Sequence, residues 1–238
     1  MPKITVLLCA YREPFHEFEI AIRSVVFQTL PPNQLVIVDD SGEGRFKSLC
    51  QQLKIAVLDH LGIALTYVCN DFNKGLVASL NLGLAEANGQ YVARMDADDI
   101  SLPYRFQQQV SLLERGFDIV GGAVTLFNSK GLARDITYPG SRIGLLYSLI
   151  RNNPIAHPVS MFKKRTALEL NGYRDVSYAE DLDLWMRAYL AGCRISNCKS
   201  VLLLRRIHPE QLSSMHSAEQ EISTRLLRKT FVKRLCHL

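Results

Sequence analysis

Ile4-Thr5-Val6-Leu7-Leu8-Cys9-Ala10 is an apolar, β-branched run with no polar alternation. That is the pattern of a strand covered on both faces in a parallel sheet. The pattern returns at Gln34 to Val38, and between the two runs Phe18 to Thr29 carries helical spacing through Ile22, Val25 and Val26 before Pro31-Pro32 closes it. The opening is therefore read as a βαβ unit.

Working outward, the alternation continues with a helix near Phe46 to His60, a strand at Ala64 to Val68, a helix from Leu76 to Ala87 and a strand from Tyr91 to Met95. Asn88-Gly89 is read as a left-handed helix stop. After Pro103 a helix to about Arg115 and a strand from Asp118 to Phe127 follow, whereas Gly131, Pro139, Gly140, Pro154 and Pro158 break residues 128–160 into what reads as a lobe of loops and short pieces. The expected class is α/β, with ligands at the carboxyl ends of the strands.

Three acidic clusters fall where such a sheet presents its ligands: Asp39-Asp40 after the second strand, Asp96-Ala97-Asp98-Asp99 after the fourth, and Glu180-Asp181 at the start of a helix. Each alone also reads as a turn or a helix cap, since Asp favours both. Carboxylates packed as densely as Asp96 to Asp99 repel one another unless solvated or held by a cation, and hard oxygen ligands suit Mg²⁺ or Mn²⁺.

The 238 residues, 47% hydrophobic and 21% charged, suffice for one domain with a sizeable core. The six cysteines show no CxxC pair and no zinc spacing, which fits a reducing cytoplasm. The amino-terminal run is too short and too β-branched for a signal segment, and the stretch from Ile119 to Phe127 is far below the roughly 20 residues of a spanning helix, so no membrane crossing is expected. The net charge of +5 resides in residues 199–238, where eight Lys/Arg face Glu210, Glu219 and Glu221. Ala218 to Leu238 is read as a basic amphipathic helix with Ile222, Leu226, Leu227, Phe231 and Leu235 on one side, suited to peripheral contact with anionic lipid. No nucleic-acid-binding fold or aromatic platform accompanies these charges.

In their order, these motifs resemble the family 2 glycosyltransferases, inverting enzymes of the GT-A fold that move a sugar from a nucleotide diphosphate to an acceptor hydroxyl. The resemblance runs to about Ser214. It implies one domain over 1–217, with a nucleotide-sugar half over 1–100 and an acceptor half over 101–217, and the basic helix over 218–238. It implies a Rossmann-like, mostly parallel central sheet flanked by helices.

By the same resemblance, Ala10, Tyr11 and Glu13 form the nucleotide-contacting turn, Asp39 meets the base with Asp40 beside it, and Lys74 of Asn73-Lys74-Gly75 belongs to the donor site. Asp96 and Asp98 of the DXD signature hold ribose and a divalent cation, Mn²⁺ or Mg²⁺, with Asp98 the first ligand and Pro103 and Arg105 downstream. The closing pattern Arg206-x-His208-x-x-Gln211-x-Ser213 folds over the diphosphate, with Arg206 as a fork of donors and His208 near the metal. Asp181 is the general base and Glu180 its partner in the catalytic pair.

The implied reaction transfers a hexose, expected to come from UDP, to a glycan or lipid-linked glycan of the bacterial surface-polysaccharide type, in the cytoplasm or peripherally at the inner face of the plasma membrane. Trp185 reads as core rather than as a sugar platform. Gln34 stands where the family often has Glu, and Ser41-Gly42-Glu43-Gly44 departs from its usual order.

Two rivals are of other kinds. A sugar-nucleotide nucleotidyltransferase needs a Gly-rich phosphate loop where Ala10 to Glu13 stand. A non-catalytic nucleotide-sugar-binding module is expected to lack one of Asp96, Asp98 and Asp181, all of which are present. A dinucleotide fingerprint is weaker still, because Gly42-x-Gly44 has no third glycine and Lys47 stands in its place.

Overall fold

The computed structural model describes residues 2–208 and 216–236. The four apolar runs form parallel strands β1 (Ile4–Ala10), β2 (Gln34–Asp39), β3 (Ala64–Cys69) and β4 (Tyr91–Asp96) in the order β3-β2-β1-β4. Helix α1 (Phe15–Val26) links the first two, while α2 (Lys47–Leu53), a π-helical turn (Lys54–Leu58) and α3 (Asp59–Leu61) link the next pair. Helix α4 (Leu76–Glu86) leads into β4.

The missing polar alternation has a direct cause. Val6, Leu8, Leu35 and Ile37 enter an apolar cluster with Phe18, Ile22 and Phe46. Leu7, Val36 and Val38 enter a second cluster with Leu80, Leu84 and Trp185. Successive residues point to opposite faces of a strand, so a sheet covered on both faces needs apolar residues at every position.

Beyond β4 the chain adds β5 (Ile100–Ser101), α5 (Arg105–Glu114), β6 (Ile119–Asn128), β7 (Gly131–Ile136), α6 (Arg142–Arg151), β8 (Met161–Lys163), α7 (Lys164–Glu169), α8 (Glu180–Leu190), β9 (Ile195–Arg206) and α9 (Ser217–Leu235). The sheet runs β3-β2-β1-β4-β8-β6-β9-β5, with β7 paired to β6. β8 is antiparallel to both β4 and β6, β6 and β9 are parallel, and β5 runs antiparallel to β9.

Three local expectations are corrected. Asn88-Gly89 makes no left-handed stop, since the residue closing α4, Ala87, is extended at φ −66° and ψ 131° and Gly89 has no positive φ. Instead Asn88 N donates to Gln34 Oε1 and Gly89 N to Thr5 Oγ1. A Cβ at Gly89 would lie 2.6 Å from Thr5 N, so glycine is needed here for close approach to β1. Gln34 is itself explained: its amide donates to Thr66 Oγ1 and Glu86 O, a role a glutamate cannot fill.

Residues 128–160, read as loops, contain the β6–β7 hairpin and the ten-residue helix α6, whose Ser141 side chain accepts from Gly144 N and whose Leu145 and Leu149 are buried.

The five apolar residues assigned to one side of the last helix do not share a side. At about 100° per residue, Leu227, Phe231 and Leu235 form one stripe and Ile222 and Leu226 nearly the opposite one. Phe231 is buried edge-on to Tyr189, and Leu227 and Leu235 pack on the same cluster, whereas Ile222 and Leu226 are about 60% exposed. Among the described residues no helix is long and apolar enough to cross a membrane.

Candidate active site

Strand register brings the acidic clusters to one edge. Ala10 pairs with Asp39, and Cys9 with Asp96, so β1, β2 and β4 end side by side. Phe127 pairs with Arg206 and Ile100 with Leu204, which lays the end of β9 over the turn 96–99.

Asp39 and Asp40 are buried and closely held. Asp39 accepts from Ser41 N at 3.0 Å, Phe46 N at 3.0 Å and Tyr67 Oη at 2.5 Å. Asp40 accepts from Asn70 Nδ2 at 2.6 Å, Lys74 N at 2.8 Å and Gly75 N at 2.9 Å, which places an anion at the amino end of α4. Asp39 fixes the turn 41–46, and what remains for a ligand is the second lone pair of Oδ1. Lys74 reaches Asp71 at 4.0 Å and lies over the Phe72 ring. At the end of β1, Ala10 is buried and Tyr11 N donates to Glu13 Oε2 at 2.7 Å. Burial, with Asp98 and Asp96 nearby, raises the Glu13 carboxyl above its usual range.

In the turn after β4, Asp96, Asp98 and Asp99 each offer an oxygen, and these atoms lie within 4.8 Å of one another. Burial and then the charge of Asp96 raise the Asp98 carboxyl, and Asp99 rises well above the usual carboxylate range for the same reasons, joined by Asp98. Asp99 Oδ2 is buried with no hydrogen-bond partner among the described residues. Three converging carboxylates, one of which carries an unpartnered oxygen, fit a divalent cation. Asp99 belongs to this group although sequence reasoning named only Asp96 and Asp98.

His208, read as a ligand, lies with Nε2 3.2 Å from Asp98 Oδ2 and outside the oxygen cluster itself. Arg206 is tied down on several sides: its N donates to Asp99 Oδ1, its Nε to Asp98 O, its Nη1 pairs with Glu17 at 3.3 Å, and its guanidinium covers the Phe127 ring. Gln211 and Ser213 of the closing pattern lie outside the described residues.

Glu180 and Asp181 open α8. Asp181 Oδ2 accepts from Asn153 Nδ2 at 2.6 Å and Oδ1 from Leu182 N at 2.6 Å. Burial raises the Asp181 carboxyl, and these two bonds, with Arg94 and Arg205, oppose the rise. Glu180 is pushed up to about 7 by burial and by Asp181. Its neighbour His157, with Nδ1 4.0 Å from Glu180 and Nε2 3.0 Å from Tyr173 Oη, is held well below the usual histidine range by burial and by Arg94 and Arg205.

Arg94 joins the two acidic groups. It is 4% exposed, forms an ion pair with Asp96, and its charge acts on Glu180 and Asp181. Arg105, fully buried, donates from Nη2 to Arg94 O at 2.6 Å and so fixes the strand that leads into the turn 96–99. Sequence reasoning assigned no role to Arg94, His157, Asn153 or Glu17. Only Arg94 carried a signal, a charge inside a buried strand that must find a partner. Trp185 is fully buried as core.

Comparison with known proteins gives one answer. The profile of "Glycosyl transferase family 2" matches residues 5–169. The O-antigen biosynthesis glycosyltransferase WbnJ of Escherichia coli is 30% identical over 97% of this chain and 90% of its own length. The E. coli UDP-Gal:alpha-D-GlcNAc-diphosphoundecaprenol beta-1,3-galactosyltransferase is 29% identical over 88% of this chain and 76% of its own. Among solved structures, Staphylococcus aureus TarS 1-349 in complex with UDP-GlcNAc superimposes with a TM-score of 0.72 at 17% identity, covering 98% of this chain and 72% of that one. The Pyrobaculum calidifontis mannosyltransferase PcManGT, in complex with GDP-Man and Mn²⁺, gives 0.70 at 18% identity, covering 94% and 63%. The curled, mostly parallel sheet with helices on both faces is the GT-A fold.

Proposed function

The chain belongs to glycosyl transferase family 2, and from that premise we propose that it moves a hexose from UDP to the hydroxyl of a lipid-linked or growing surface glycan, with inversion at the anomeric carbon. The observation that carries this reading is the convergence, at one sheet edge, of the Asp39–Asp40 turn, the Asp96–Asp98–Asp99 oxygens and the paired Glu180 and Asp181.

Asp181 is the general base. It takes the acceptor hydroxyl proton as that oxygen bonds to the anomeric carbon and the carbon–phosphate oxygen bond breaks on the opposite face, an assistance worth about 10²- to 10⁴-fold. Asn153 and Leu182 N orient its carboxylate and favour the ionised form. Asp98 and Asp96, with His208 and Asp99 beside them, would hold a divalent cation, which would supply Lewis-acid stabilisation of charge on the departing diphosphate. Arg206 stands over the same turn and offers donors to the phosphates, Lys74 lies at the donor side, and Ala10, Tyr11, Glu13, Asp39 and Asp40 shape the nucleoside end. Glu180, pushed up to about 7 and so about half protonated near neutrality, limits the negative charge beside the base.

UDP as donor is supported by the galactosyltransferase relative and the UDP-GlcNAc complex, and a lipid-linked or O-antigen type acceptor by the names of the two relatives. The exposed side of α9, with Ile222, Leu226, Arg225, Lys229 and Lys233, supports peripheral contact with an anionic membrane at its cytoplasmic face, at about 1 kcal/mol per basic residue near the surface.

The test is thermal unfolding with UDP, GDP, TDP and CMP, each with Mn²⁺ and with EDTA. UDP with Mn²⁺ is expected to raise Tm, since a ligand at a hundred times its Kd stabilises by about 2.7 kcal/mol, and EDTA to remove most of that gain. No shift with any nucleotide overturns the reading.

A further inference from the structure

A cavity of about 320 Å³, the size of a small-molecule pocket, opens between the start of α8 and the first turns of α9. Asp181 and Asn153 line one wall and Ser217, Gln220, Thr224 and Arg228 the other. These α9 positions recur at helical spacing, so α9 turns a polar stripe toward the domain at the very turns where an apolar stripe would have closed the gap. Further along, Leu227, Phe231 and Leu235 dock α9 in the ordinary apolar way.

Arg228 is the anomaly in this wall. Its Nε is buried without a hydrogen-bond partner among the described residues, and burial lowers its pKa with no carboxylate acting to lift it. An unmatched guanidinium nitrogen costs stability and fits a missing oxyanion, which it can grip through two parallel N–H donors. Glu221, also at the cavity, would repel an anion placed beside it and suits sugar hydroxyls instead.

The start of α9 is fastened to the catalytic loop. Gln220 Nε2 donates to Tyr178 O at 2.7 Å, and the Tyr178 ring, on a residue with φ +58°, stacks on His216 with centroids 4.2 Å apart. From Gln220 to Arg228 the helix rises about 12 Å, so the polar stripe spans more than two turns.

We infer that this cavity is the acceptor subsite, and that Arg228 binds an oxyanion carried by the acceptor, a phosphate or a carboxylate. The inference rests on the transferase reading above and assigns its acceptor side, which that reading leaves open.

The experiment uses the full chain saturated with Mn²⁺ and the nucleoside diphosphate that stabilises it, and measures acceptor-analogue binding by calorimetry. Three probes share one phenoxyalkyl tail: N-acetylglucosamine joined through an α-diphosphate, the same sugar joined through an ether, and glucuronic acid joined through an ether. At least tenfold tighter binding of one charged probe than of the neutral ether is expected, and the preferred probe identifies phosphate or carboxylate as the source. Arg228→Gln should abolish the preference, Arg228→Lys should keep much of it, and Lys130→Gln, which removes one charge at the distant hairpin, should leave it intact. Nucleotide binding should be the same in all four proteins. Nucleotide binding without a charged-probe preference, or a preference that survives Arg228→Gln, overturns the subsite alone. Absent nucleotide binding overturns the transferase reading on which it rests.

Discussion

Asp39-Asp40 at the end of β2 and Glu180-Asp181 at the start of α8 are both adjacent acidic pairs, and the protein treats them in opposite ways. The first pair is wrapped by protein donors: Ser41 N, Phe46 N and Tyr67 Oη on Asp39, and Asn70, Lys74 N and Gly75 N on Asp40. The second is buried with less: Asn153 and Leu182 N meet Asp181, burial drives both carboxyls up, and the charges that oppose the rise, Arg94 on both and Arg205 on Asp181, act through space. A carboxylate whose lone pairs are filled from its own chain holds a fold together. One left under-matched is expensive to keep ionised, and that cost is tolerated where a proton has to move.

The comparison makes its largest claim at Asp181. Asp181→Asn keeps the shape, accepts from only one of Asn153 Nδ2 and Leu182 N, and removes the base. Transfer should fall by about 10²- to 10⁴-fold, with nucleotide-dependent stabilisation unchanged. Turnover measured alongside the thermal shift checks it, and unchanged turnover would remove Asp181 from the mechanism. Asp40→Asn should behave in the reverse sense. The new amide can accept through one oxygen only and turns its NH₂ either toward Gly75 N or toward Asn70 Nδ2 and Lys74 N, so about 1–3 kcal/mol of stability and several degrees of Tm should be lost. A fully stable Asp40→Asn protein would break the distinction between the two pairs.

How much of this could be read in the chain follows the same division. The parallel half was legible because a strand covered on both faces is apolar at nearly every position, as Ile4 to Cys9 and Gln34 to Val38 are apart from Thr5 and Gln34, which hydrogen-bond to each other. The carboxylate clusters were legible because three of them fall in order, two at strand ends and one at a helix start, although each alone would read as a turn or a cap. Helix α6 was hidden because Gly144 and the exposed Ile143 and Tyr147 blur its period, leaving Leu145 and Leu149 as a two-point signal. The two faces of α9 were misjudged because five apolar residues within fourteen look like one stripe until their angles are laid out. Asn153 and His157 carry no local sign of function, since each gains its role from Asp181 or Glu180 more than twenty residues away, and Glu17 meets Arg206 from the far end of the chain.

The smallest predicted effect is also the finest test, because it separates the two members of one pair. Glu180 titrates at about 7 in the folded protein and near 4.5 when unfolded. The folded state therefore binds that proton more tightly, and stability is lost as pH rises from about 4.5 through about 7. Glu180→Gln has nothing to lose over this interval. In EDTA it should match the parent near pH 4.5 and exceed it at pH 8 by about 1–3 kcal/mol. His157 faces the same carboxylate and, being held well below its ordinary range, gains stability over part of the same interval, so the parent curve alone mixes two opposed titrations. The difference between parent and Glu180→Gln removes most of the histidine contribution, with Asp181, Arg94 and Asp96 common to both proteins. Denaturant unfolding at half-unit pH steps measures it. A difference that stays flat from pH 4.5 to pH 8 would mean that Glu180 is as well matched as Asp39, and the contrast between the two acidic pairs would then rest on Asp181 alone.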